Sequence, residues 1–161
     1  MTDVERLREE LYAWCGRHTA CRRAVDYYIA LIRNHCFPPA DKMTYRMRKF
    51  YMEILEKYGL PPRCNVKALV LERLRGTALE KHAHEAAELA ELLKRRLHIT
   101  SRVAAAAAAV AVAERRGIAV ARSAVAELFG TSYNAMRLYV KHAYKLYNEY
   151  ILRRGHEAAQ H

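Results

Sequence analysis

Apolar positions recur along this chain at three- and four-residue intervals, and the pattern predicts helices from one end to the other. Thr2 followed by Glu5 makes a capping box for a first helix, with Val4, Leu7, Leu11 and Trp14 along one face. A second helix is expected from about Ala20 to His35, with Val25, Tyr28, Leu31 and Ile32 inward. It should stop before Phe37, Pro38 and Pro39, because a residue ahead of proline is pushed out of the helical region. Asp41 is the expected cap of a third helix, whose apolar face is Met43, Met47, Phe50, Ile54 and Tyr58 and whose solvated side carries Lys42, Arg46 and Lys49.

Gly59, Leu60, Pro61 and Pro62 form the clearest interruption, since paired prolines cannot continue a helix and glycine can end one. The expected organisation is a three-helix N-terminal region over 1–62, a five-helix domain over 63–152 and a flexible tail over 153–161. In the second region a short helix is predicted over about 66–74 and a longer one from Ala78, with Leu79, Ala83, Ala86, Ala90, Leu93 and Leu97 in register. Thr100 then opens a helix whose central run, 103–113, is apolar on every side and short of a membrane span. A helix of that kind must be surrounded by others, and alanine lets them approach closely, so it is the expected central rod of the domain; Gly117 ends it.

The stretch after Gly117 predicts a short helix, a turn at Gly130, Thr131 and Ser132, and a further helix capped by the Ser132 side chain. Asn134, Arg137, Lys141, Lys145 and Asn148 fall on one stripe of that helix, and Met136, Val140, Ala143, Tyr147 and Ile151 on the opposite one. This order reads as a helix-turn-helix, in which the second helix enters the DNA major groove. Asn134 and Arg137 are then the candidates for base edges, adenine for the amide and guanine for the guanidinium. Lys141 and Lys145 are candidates for phosphates, as is Arg122 at the start of the preceding helix. Tyr133, Tyr139 and Tyr144 are further candidates for the backbone, whereas Tyr147 and Tyr150 suit a core or an interface. Against this stands the plainer reading of a solvated face on an amphipathic helix.

Charge strengthens the nucleic-acid reading. The net charge is +11 and arginine supplies 20 of the 28 cationic residues. Its planar fork suits phosphate and guanine edges, and binding through such contacts weakens steeply with salt. Lys42, Arg46 and Lys49, interleaved with aromatics, offer a second basic surface, and the apolar stripe of the same helix offers a homodimer contact as an alternative. Lys94, Arg95 and Arg96, like Arg115 and Arg116, have a plainer use at helix C-termini, where cations meet the carbonyl dipole.

Cys15, Cys21, Cys36 and Cys64 are expected to be unlinked core thiols, cysteine being among the most buried residue types. The alternatives are one or two disulfides, or a zinc site from Cys15, His18, Cys21 and Cys36, although no close pair of cysteines has metal-ligand spacing. One glutamine and four asparagines fit a thermophile. The acidic and basic first turns lack the form of a secretory leader, and a cytoplasmic location is expected. His82 and His84 diverge on a helix, Glu85 and Glu88 lack a histidine at metal spacing, and no glycine-rich phosphate loop is seen. The chain is therefore not expected to be an enzyme or to need a cofactor.

Thr100, Ser101, Arg102 and Val103 followed by six alanines, Val110, Ala111, Val112 and Ala113 resemble the Ser-Pro and alanine-rich third helix of the second cyclin-like repeat of archaeal transcription factor B, the general factor IIB family. Ala124, Val125, Ala126 and Glu127 fall without a gap on that family's Glu-Ile-Ala-Glu segment. Ser132 falls on its capping threonine and Arg137 on the arginine of its Thr-Val-Arg. The resemblance covers about 65–150. It implies a cyclin-like domain, with Ser132, Tyr133, Asn134 and Arg137 reading a promoter element and the transcription machinery as a partner. The family's zinc ribbon and polymerase-entering segment have no counterpart here, 1–62 does not match a first repeat, and Ala121, Arg122 and Ser123 replace a more polar stretch. The expected protein is a relative that keeps the DNA-reading half: an all-α, double-stranded-DNA-binding protein acting in transcription or its regulation. The alternative is a cyclin-like adaptor that binds an acidic protein partner.

Overall fold

The computed structural model describes residues 2–37, 39 and 41–153. Of the tail expected at 153–161, all but Arg153 lies outside the described residues. Among these residues the protein is all-α, without a strand. The chain divides into two compact units, Met1–Arg63 and Cys64–His161. No helix is long and apolar enough to cross a membrane among the described residues.

The first unit holds α1 (Asp3–Cys15), α2 (Thr19–Arg33) and α3 (Tyr45–Tyr58). Both halves of the Thr2–Glu5 capping box form, the Thr2 hydroxyl accepting from the Glu5 amide and the Glu5 carboxylate from the Thr2 amide. The core is Leu11, Ala24, Val25, Tyr28, Ile29, Met47 and Ile54, so α2 packs between α1 and α3. Tyr28 sends its hydroxyl to the Gly59 carbonyl at 2.9 Å, satisfying in the core the one polar atom of its ring. Three local expectations change. Thr44, not Asp41, caps α3, because the Thr44 hydroxyl receives the Met47 amide at 3.3 Å while Asp41 lies exposed upstream. Leu31 and Ile32 are only half-buried, and Ile29 takes the inner position one turn earlier. Trp14, on the inner stripe by spacing, sits in the last turn of α1 and leaves 48% of itself in solvent, with its ring edge on Phe50.

The cysteines overturn the expectation of unlinked thiols. Cys15 at the end of α1 and Cys21 in the first turn of α2 form a disulfide that closes the α1–α2 turn, and no free cysteine is present among the described residues. The same bond removes the zinc alternative, since sulfurs spent on each other cannot act as thiolate ligands. His18 inside that turn caps α2 by accepting the Cys21 amide at 3.4 Å.

The second unit comprises α4 (Val66–Leu74), α5 (Ala83–Leu97), α6 (Ser101–Arg115), α7 (Arg122–Leu128) and α8 (Tyr133–Leu146). The helix expected from Ala78 begins later, with a tight 3-10 turn over Glu80–His82 leading into α5, and α8 runs on into a wider π-helical turn over Tyr147–Leu152. The alanine-rich helix α6 contacts α4, α5, α7 and α8, and its residues 104–113 are wholly buried. Methyl side chains on every side explain this: helices can close on α6 from all directions only where no long side chain holds them off. Gly117, at φ +70°, ends α6 with the Ile118 amide bonded back to the Ala113 carbonyl at 2.8 Å, a left-handed cap that glycine adopts without a Cβ penalty.

Candidate nucleic-acid interface

α7, the turn 129–132 and α8 follow one another in the manner the sequence predicts. At the end of α7, Gly130 takes φ +67°, its amide bonds the Glu127 carbonyl at 2.9 Å, and the Thr131 amide bonds the Ala126 carbonyl at 3.0 Å. This left-handed reversal satisfies two terminal carbonyls and redirects the chain. Ser132 then opens α8, its hydroxyl accepting the Ala135 amide at 3.1 Å. Phe129 in the turn is fully buried and so anchors it in the core.

α6 braces this unit at both ends. From its first turn Arg102 donates to the Gly130 carbonyl at 2.8 Å, fixing the reversal. From its last turn Glu114 receives Arg122 of α7 through two hydrogen bonds, Nε to Oε2 at 3.1 Å and Nη2 to Oε1 at 2.6 Å, and the Tyr144 hydroxyl of α8 at 2.6 Å. Arg115 lies over the Tyr144 ring at 4.8 Å. The Arg122 hydrogen bonds hold the Glu114 carboxyl below the ordinary carboxylate range against an opposing effect of burial, with Tyr144 assisting. Burial first, then the Glu114 carboxylate, pushes the Tyr144 phenol up. A second node ties α5 to the end of α8: Glu85 accepts from Arg116 and from the Tyr147 hydroxyl, the latter at 3.0 Å.

With its position so fixed, α8 buries Met136, Val140, Ala143 and Leu146 and turns the opposite side outward. Ser132, Tyr133, Asn134, Arg137, Lys141 and Lys145 are all exposed. Among the described residues no side-chain hydrogen bond or ion pair engages Asn134, Arg137, Lys141 or Lys145. Arg122 stands apart from them. Its guanidinium is committed to Glu114, so it fastens α7 to α6 instead of joining the outward stripe. Of the tyrosines, Tyr133 is 41% exposed at the tip of α8, Tyr144 is bound to Glu114, and Tyr147 is buried. Tyr150 is taken by Arg96, and Lys94 and Arg95 by Ser101 and Glu91, which occupies that basic group within the unit.

Sequence reasoning missed Leu138, which lies 64% exposed in the middle of the cationic stripe, one turn from both Asn134 and Lys141. The signal was available: an apolar residue on the polar side of an otherwise regular amphipathic helix. It also missed Arg102 and Glu114, whose partners lie 28, 8 and 30 residues away and leave no local pattern.

In the first unit, Arg46 and Lys49 line an open cleft of about 650 Å³ together with His18, Tyr45, Arg48 and Phe50. Lys42 is exposed ahead of α3 and is not among the lining residues.

Fold and surface together define an all-α protein whose second unit wraps an alanine rod and displays a cationic helix. No protein-family profile, no curated protein and no solved structure matches the chain.

Proposed function

We propose that this protein binds duplex DNA and reads its sequence with α8, as the second helix of a helix-turn-helix in a cyclin-like domain, and acts in transcription or its regulation. The observation that carries this reading is the outward face of α8, cationic and unengaged, on a helix whose own placement is locked by Arg102 and Glu114 of α6. From Asn134 to Lys145 that face extends about 16 Å, enough to follow roughly five base pairs along a groove that admits one helix. Asn134 carries an amide that can accept from and donate to an adenine edge, and Arg137 carries the forked donors that suit guanine. Leu138, next to Arg137, offers an apolar contact for the thymine methyl, and Lys141 and Lys145 neutralise phosphates.

The protein should shift random duplex DNA at micromolar concentration in low salt, with affinity falling steeply as salt rises. Rounds of selection from a randomised duplex pool should then converge on a motif. A pool that never enriches would remove the claim of sequence reading. Absence of any salt-dependent shift, with capture of an acidic protein instead, would favour the adaptor reading.

A further inference from the structure

The first unit presents a surface with a different character. Among the described residues its cleft is lined by three cations, Arg46, Arg48 and Lys49, by His18, and by two aromatic rings, Tyr45 and Phe50, and by no carboxylate. Tyr45 is 90% exposed, far beyond what packing on the core accounts for. Phe50 is the centre of a ring group, with His18 at 4.6 Å and Trp14 at 6.2 Å between centroids, and Trp14 itself is about half in solvent. The Cys15–Cys21 disulfide spans the turn that carries His18 and so holds that ring against Phe50.

We propose that this cleft binds single-stranded nucleic acid, with bases stacking on Tyr45 and on the Phe50 ring group and phosphates held by Arg46, Arg48 and Lys49. Charge selects an anionic polymer, and the exposed rings select its form. A duplex keeps its base faces stacked on one another, so rings gain little from it, whereas unpaired bases present a π-face whatever their identity. This reading is independent of α8, which lies in the other unit and meets paired DNA by base edges.

The test uses the full chain, since Trp14 is its only tryptophan and, with its ring edge on Phe50, reports on the ring group at the border of the cleft. The probes are an oligothymidylate of about twelve nucleotides, within the span such grooves cover, a duplex of the same length, and polyglutamate. Oligothymidylate should change Trp14 emission. Tyr45→Ala should weaken oligothymidylate binding about ten-fold or more while leaving duplex affinity unchanged, and Tyr45→Phe, which keeps the ring, should restore it. Arg137→Ala should do the reverse, lowering duplex affinity alone, so the two sites fail separately. The proposal is overturned if saturating oligothymidylate leaves Trp14 emission unmoved, if Tyr45→Ala binds it like the unaltered chain or loses both probes equally, or if polyglutamate evokes the same response, which would reduce the cleft to a patch of charge.

Discussion

Arg122 and Glu114 meet as a two-pronged ion pair between the start of α7 and the last turn of α6, with the Tyr144 hydroxyl of α8 on the same carboxylate. One acidic side chain thus fastens both helices of the turn unit to the rod. The folded-state carboxyl is held low, so its contribution to stability is present above the ordinary glutamate value of 4.5 and is lost as pH falls through the depressed one. Thermal unfolding followed on acidification should show the unaltered chain losing more stability below about pH 4.5 than Glu114→Gln does. At neutral pH the substitution should cost about 0.2–1 kcal/mol, the range for solvent-exposed ion pairs. Identical acid profiles for the two chains would show that the carboxylate is not held as described.

Gly130 sets the angle between α7 and α8 by its positive φ. Gly130→Ala should destabilise the protein by about 1–2 kcal/mol, the cost of a Cβ in the left-handed region. Gly130→Asn should lose less, because asparagine tolerates that region. Urea midpoints of the three chains give the ordering directly.

The outward residues of α8 should separate into two behaviours. Arg137→Ala is expected to cost about 1–3 kcal/mol at the selected site and to relax preference at one base position. Lys141→Ala should weaken all sequences alike and reduce the slope of log affinity against log salt by about one. Leu138→Ala should leave the slope intact and lower discrimination for thymine. Affinities measured over a salt series, with selected and scrambled duplexes, distinguish the three.

The rod tolerates only small side chains. Ala107→Leu, fully buried in α6, should destabilise by about 1–3 kcal/mol through overpacking, whereas Ala124→Leu, exposed on α7, should stay within about 0.5 kcal/mol. Equal stability of the two variants would mean that α6 is not enclosed.

The Cys15–Cys21 bond closes a short turn, with a sequence separation of 6. Replacing both residues by alanine should lower stability by about 2 kcal/mol, mostly by freeing the unfolded chain. The loss should show as a lower urea midpoint.

Periodicity and local capping were enough to place most of this protein. The Thr2 capping box, the end of the N-terminal unit near the paired prolines, the span of α4, the cap at Thr100 and the cap at Ser132 all depend on residues within a turn or two of one another, and such interactions are written in adjacent letters. So is the face of α8: once helical spacing fixes Met136, Val140 and Ala143 inward, Asn134, Arg137, Lys141 and Lys145 have nowhere to go but outward. Only tertiary structure could decide what Arg122 does, because a guanidinium at a helix start suits a phosphate or a carboxylate equally, and Glu114 reaches it only after α6 and α7 have packed. The same holds for Trp14, whose helical register points inward while its place in the last turn of α1 leaves it half in solvent beside Phe50. Pairing of Cys15 with Cys21 required the α1–α2 turn to bring two helix ends together, which composition cannot signal. Local free energies set where each helix begins, ends and faces; long-range packing alone determines which of several chemically equivalent partners a charged or reactive side chain finds.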